Sequence, residues 1–131
     1  MDAGADVIHL DTHVVVWLYL GEVDRFPPSL RERLGGLRPL YSPMVRLELA
    51  LLHEIGRITE SPAVILDTLA GHCGLGPAES PFERVSQIAV TLTWTRDPFD
   101  RLIAAHALAD DLPLVTRDAK MLACCPVALW G

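Results

Sequence analysis

The sequence predicts an α/β domain: a central, mostly parallel sheet of about four to five short strands, flanked by helices. Three observations predict it. Short apolar runs alternate with longer segments of helical periodicity. Ser42-Pro43, Ser61-Pro62, Ser80-Pro81 and Asp97-Pro98 each supply an N-cap and a first-turn proline. The chain of 131 residues can bury its own core and carries no repeat, low-complexity tract or interdomain linker, so residues 1–131 are expected to form one domain.

Taken in order, VIHL (7–10) reads as a short strand, followed by Asp11-Thr12 and an apolar helix, HVVVWLYL. SLRERLGGL (29–37) reads as a short helix capped by Ser29 and stopped by Gly35-Gly36. PLYS (39–42) is a second strand, and Ser42-Pro43 then opens a helix through about Glu54 or Ile55. Ser61-Pro62 starts another, ending near Gly74, and GLGPAES is loop or edge strand. Ser80-Pro81 opens FERVSQIAVTLTW, which ends before Arg96, and the helix headed by Asp97 runs to Asp110. PLVT (113–116) is a strand, DAKML a short helix, and PVALW (126–130) an edge strand with proline first.

Composition narrows the function. The net charge is −6, with ten arginines and a single lysine among the bases, which argues against a sequence-independent nucleic-acid binder with a basic face. The excess of acids is less surprising if carboxylates converge on a cation, and arginine suits phosphate contacts. No run is long enough for a membrane-spanning helix, and the acidic MDAGADVIHLD lacks the basic start of a secretory signal, so a cytoplasmic location and no membrane partner are expected. Cys73, Cys124 and Cys125 show no metal-ligand spacing, and the adjacent pair is too close for an ordinary disulfide, so all three read as small reduced hydrophobes.

Four acids stand out. In parallel α/β sheets ligands collect beyond the carboxyl ends of the strands. Asp11 directly follows the first strand, and Asp118 lies two residues beyond PLVT. Each also suits a helix N-cap, with Thr12 able to take over from Asp11. Met44, Leu47, Leu51 and Ile55 mark a buried stripe at helical spacing, and Glu48 falls among them, where a charge needs an ion pair or a metal. Arg46 and Glu54 fall off that stripe. Asp100 sits at N3 behind the cap Asp97, suited to a capping box, yet Ile103, Ala104, Ala107 and Leu108 put it on the inward face. Four carboxylates gathered together cannot all stay ionised without a cation, and oxygen ligands select Mg²⁺ or Mn²⁺ over zinc.

LDTHVVVWL, SPMVRLELALLHEIGRI, RDPFDRLIAAHAL and LVTRD resemble, in order and spacing, the PIN-domain proteins, specifically VapC-type toxins of bacterial toxin–antitoxin pairs. The resemblance spans Leu10 to Asp118. It implies a PIN-like three-layer sandwich and a Mg²⁺- or Mn²⁺-dependent endoribonuclease. Asp11 and Asp100 would be the main metal ligands, with Glu48 and Asp118 acting partly through water. Thr12 and Thr116 match accessory hydroxyls, and Asp97 would add a hydrogen bond behind the ligands. Many relatives carry Asn where this chain has Asp118. Arg96 and Arg117 lie beside the acids and suit either phosphate of the RNA substrate or surface salt bridges. A cognate antitoxin and homodimerisation through helices are also implied.

Other residues read as scaffold. His13 and His106 suit packing or hydrogen bonding, Asp110-Asp111 a solvated turn, and Trp17 and Trp94 the core or an interface. Two rival functions stand beside the nuclease: a non-catalytic PIN-fold module that binds protein, and a receiver-like phospho-acceptor domain. The latter needs an Asp ending a middle strand and a late lysine on the same rim. No middle strand is expected to end in Asp, and Lys120 falls in the short final helix.

Overall fold

A computed structural model of the protein describes residues 7–131. The acidic opening read against a secretory signal falls in part on residues 1–6, outside the described residues. Strand β1 (Val7–Leu10) is the middle of a five-stranded sheet ordered β3-β2-β1-β4-β5, with β2 at Arg38–Tyr41, β3 at Gly76–Pro77, β4 at Leu114–Val115 and β5 at Ala128–Leu129. Every pairing is parallel. Ile8, His9 and Leu10 are at most 1% exposed although successive side chains point to opposite faces, so both faces of β1 are covered. The expected α/β architecture with a parallel sheet flanked by helices is what forms.

Among the described residues seven helices connect and cover these strands: α1 (Thr12–Leu20), α2 (Pro28–Leu34), α3 (Pro43–Glu54), α4 (Pro62–Cys73), α5 (Phe82–Ala89), α6 (Pro98–Asp110) and α7 (Ala119–Cys124). A single 3₁₀ turn, Val23–Arg25, joins α1 to α2 and has no counterpart in the sequence reading. Ser42 and Ser61 cap their helices as expected, accepting from the amides of Met44 and Val64. Ser29 does not. It lies inside α2, whose start is set by Pro27-Pro28 without a side-chain cap. Ser80 does not cap α5 either; its hydroxyl donates to Asp110 instead. Helix α5 stops at Ala89, short of Trp94, where Thr91 Oγ1 donates to the Ile88 carbonyl at 2.6 Å and competes with the helical ladder.

The phase of α3 differs from the expected stripe. Val45 and Leu49 are fully buried, while Leu47, Leu51 and Ile55 are 49, 39 and 67% exposed and Met44 is half-buried. The face carrying Val45 and Leu49 packs toward α4 and α6, and at the start of the helix Ser42 Oγ caps it and also bonds His106 Nδ1 at 2.8 Å. Arg46 and Glu54 are exposed, as expected.

Asp110 is a second correction, because it is not a solvated turn residue. Its Oδ2 lies 2.6 Å from the buried His9 Nε2, and its Oδ1 accepts from Ser80. Burial holds the His9 pKa below its ordinary value, against the opposing pull of Asp110. Asp111 ends α6 in the left-handed region, with φ 54°. The cysteines are free; Cys125 is buried, whereas Cys73 and Cys124 are exposed. Among the described residues no helix is long and apolar enough to cross a membrane.

Candidate functional site

The carboxyl ends of β1 and β4 are neighbours, and that adjacency builds the site. Asp11 leaves β1 with its amide donating to the Val115 carbonyl at 3.0 Å. Its side chain divides its oxygens between two partners. Oδ1 caps α1, accepting from the Thr12 amide at 2.8 Å. Oδ2 accepts from Thr116 Oγ1 at 2.7 Å. Thr12 therefore does not take over the cap. Its buried hydroxyl donates instead to Glu48 Oε1 at 2.5 Å. Glu48 is half-buried, and among the described residues it has no ion-pair partner.

At the head of α6, Asp97 is the cap, its Oδ1 accepting from the amides of Phe99 at 2.8 Å and Asp100 at 3.4 Å. No capping box forms. The Asp97 amide donates to Thr95 Oγ1 at 3.2 Å, leaving the half-buried Asp100 carboxyl without a hydrogen-bond partner among the described residues. Ile103, Ala104 and Ala107 follow Asp100 on the buried face, as expected. Asp118 is exposed and caps α7 through the Met121 amide at 2.9 Å, while Thr116 Oγ1 also accepts from the Asp118 amide at 3.0 Å.

These placements bring Asp11, Glu48, Asp97, Asp100 and Asp118 into one cleft of about 370 Å³, together with His13, Trp17 and Arg117. All four acids singled out from the sequence line it. Thr12 and Thr116 stand behind it as hydroxyl donors. Arg96 is exposed and is not part of the lining, whereas Arg117 is the one arginine there. Three carboxyls are pushed above their ordinary pKa, in each case chiefly by burial. For Asp11 the Thr116 and Thr12 bonds oppose the rise, and for Glu48 the Thr12 bond does. Asp100 reaches about 7, because the charges of Asp97, Asp11, Asp118 and Glu48 add to burial.

The donor set is all oxygen, which suits a hard divalent cation. Among the described residues, however, no group of three or more His, Cys, Asp or Glu side chains stands in an arrangement that could hold a metal ion. The acids share a cleft without converging on a point, and Asp11, Asp97 and Asp118 each keep one oxygen on a helix-capping amide.

Two lining residues were not assigned to the site from the sequence. His13 is exposed and flanks the acids rather than packing, and Trp17, one turn later, packs on the core as expected while also forming cleft wall. Their i, i+4 spacing beside Asp11 is the signal that places both on the cleft side of α1. His106, by contrast, is buried and hydrogen-bonded, as expected. β1 is the middle strand and Asp11 directly follows it, so strand position does not exclude a receiver-like domain. Lys120 is exposed on α7 and does not line the cleft, so the lysine such a site requires is missing from it.

A family model for the PIN domain matches residues 8–124. No curated protein sequence matches the chain. Among solved structures, the chain is similar to VapBC2 from Rickettsia felis bound to a DNA fragment from their promoter, with TM-score 0.68 and 20% identity, covering 95% of this chain and 99% of that one. It is similar to VapBC-1 from nontypeable Haemophilus influenzae, with TM-score 0.64 and 19% identity, covering 95% and 96%. It is also similar to DNA-bound VapBC from Salmonella typhimurium, with TM-score 0.59 and 21% identity, covering 92% and 93%. At these identities the likeness is one of fold.

Proposed function

Because the chain belongs to the PIN domain family, we propose that it is a metal-dependent endoribonuclease, a VapC-type toxin held in check by a cognate antitoxin. The observation that carries this reading is Asp100: a half-buried carboxyl without a hydrogen-bond partner among the described residues, sharing one cleft with Asp11, Glu48, Asp97 and Asp118. A cation would relieve the repulsion among these acids. Asp11 and Asp100 would hold it, with Glu48 and Asp118 partly through water. Mg²⁺ or Mn²⁺ bound there would lower the pKa of a water and polarise the phosphodiester for in-line attack.

The chain's own residues do the positioning. Thr116 orients Asp11 and Thr12 orients Glu48, each by a hydroxyl buried beneath the cleft. Asp97 fixes the start of α6 and thereby the direction of Asp100. Arg117 supplies the positive charge that meets the substrate phosphate.

The exposed Leu47, Leu51 and Ile55 supply an apolar helix face suited to a protein partner, which supports an antitoxin contact or a homodimer. The similarity to VapBC structures supports the same partner class. A non-catalytic, protein-binding PIN fold draws on the lack of a ready three-acid metal arrangement among the described residues. One assay separates the two. Purified protein is expected to cleave RNA with Mg²⁺ or Mn²⁺, to stop in EDTA, and to lose activity in Asp11→Asn and Asp100→Asn. Cleavage that survives both substitutions, or that ignores EDTA, removes the metal-site reading; no cleavage under any condition leaves the binding module.

A further inference from the structure

Arg117 lines the cleft in the company of Asp11, Glu48, Asp97, Asp100 and Asp118. Among the described residues it nevertheless forms no salt bridge with any of them. Its guanidinium lies instead 5.7 Å from the Trp130 ring centre, within cation–π reach. Arg25, in the same aromatic cluster, behaves differently. It lies 5.0 Å from the Trp17 ring centre and also pairs with Glu22.

Trp130 is well fixed for a residue next to the last. Its ring centre is 5.8 Å from that of Trp17 and 5.3 Å from that of the buried Phe26. Val115 pairs with Leu129, and the Thr116 amide donates to the Leu129 carbonyl at 3.1 Å, so Arg117 and Trp130 leave neighbouring strands together. Trp130 itself is half-buried and does not line the cleft. We propose that Trp130 is a positioning residue: it holds the Arg117 guanidinium back from the cleft acids, leaving Asp100 open to a divalent cation and Arg117 open to a phosphate. The consequence for the cation rests on the metal-dependent reading above.

The chemistry makes such a restraint necessary. A guanidinium is a fork of donors that matches a carboxylate, and the Asp100 carboxyl has no hydrogen-bond partner among the described residues. An arginine free to swing would therefore occupy oxygens that a cation needs. The competition is close, because a guanidinium on a partly exposed ring and an exposed ion pair gain similar, small energies. Removing the ring tips Arg117 toward the acids.

The first test uses metal-free protein. Melting-temperature shifts of Arg117→Gln and Asp100→Asn in EDTA are expected to add in the wild-type background. They are expected to become non-additive in Trp130→Leu, which keeps apolar bulk but no ring, and to add again in Trp130→Phe. Coupling already present in the wild-type background, or additive shifts in Trp130→Leu, overturns the proposal. The second test is Mn²⁺ binding by titration calorimetry. Trp130→Leu is expected to bind about fivefold more weakly and to regain affinity when Arg117→Gln is added. Unchanged affinity in Trp130→Leu, or none regained, also overturns it. Arg117→Gln alone is expected to stay within about twofold of wild type at about 0.15 M salt. If Trp130→Leu does not fold, that single variant decides: unchanged affinity supports the restraint, and a several-fold tighter site means the guanidinium already sits on the acids and overturns it. If the wild-type chain takes up no Mn²⁺, the metal reading fails, and the metal-free cycle still decides where Trp130 holds Arg117.

Discussion

Thr116 Oγ1 donates to Asp11 Oδ2 at 2.7 Å, joining residues 105 positions apart across the neighbouring ends of β4 and β1. Both are buried, at 0 and 8% exposure, so the bond is shielded from water. Thr116→Val keeps the shape and deletes the donor. It is expected to cost about 1–3 kcal/mol in urea unfolding, because the carboxylate loses a buried partner. It is also expected to lower RNA cleavage roughly 10–100-fold, the usual effect of removing a group that orients a metal ligand. Thr116→Ser, which restores the hydroxyl, should recover most of both.

Asp97 and Asp100 separate by substitution to asparagine. Asparagine caps a helix about as well as aspartate, so Asp97→Asn is expected to leave stability within about 0.5 kcal/mol. Asp100→Asn is expected to lower cleavage by roughly a hundredfold or more. Without divalent metal the same change should raise the melting temperature, because it removes a half-buried charge set among other acids. Chelated protein whose Asp100→Asn variant melts lower than wild type would contradict this.

Divalent cations are expected to raise the melting temperature of the wild-type chain in proportion to log concentration, since a ligand of the folded state stabilises by mass action. About 2.7 kcal/mol is gained at a hundredfold excess over Kd. The shift should vanish in Asp100→Asn and persist in Arg96→Gln, because Arg96 does not line the cleft. A differential scanning calorimetry series in Mg²⁺ and Mn²⁺ reads it directly.

The His9–Asp110 pair makes stability depend on pH. Burial lowers the His9 pKa in the folded chain, so between that value and the unfolded value of about 6.5 the unfolded state binds more protons. Its contribution to stability is complete above about 6.5 and is lost as pH falls through the lowered folded value. The raised pKa values of Asp11, Glu48 and Asp100 act in the opposite sense, so the informative quantity is a difference. The stability of wild type minus that of His9→Gln is expected to increase from pH 5.5 to pH 7.5, roughly the window set by the histidine reference pKa. A flat difference would show that His9 takes up no extra proton on unfolding.

Leu51→Glu on the exposed face of α3 is expected to change unfolding by less than about 0.5 kcal/mol, because that side chain already meets water. Under the proposed function its effect should appear in association, as a smaller particle in sedimentation or weaker capture by a cognate antitoxin. A large loss of stability in the isolated chain would mean that this face packs internally.

Local chemistry made most of the scaffold legible. Apolar runs of a few residues, Ser-Pro and Asp-Pro caps and the order of strands and helices all act within about one helical turn, so the parallel α/β class followed from them. The same signals placed Asp11, Asp97 and Asp118 as caps, and the inward side of α6 pointed Asp100 toward the sheet. What the tertiary structure decided depends on which strands become neighbours. The order β3-β2-β1-β4-β5 sets Thr116 against Asp11, His9 against Asp110 and Trp130 against Trp17. The packing of α3 against α4 and α6 puts Val45 and Leu49, rather than Leu47 and Leu51, in the core. Periodicity reveals that a helix has two faces; packing against a particular neighbour chooses which one is buried.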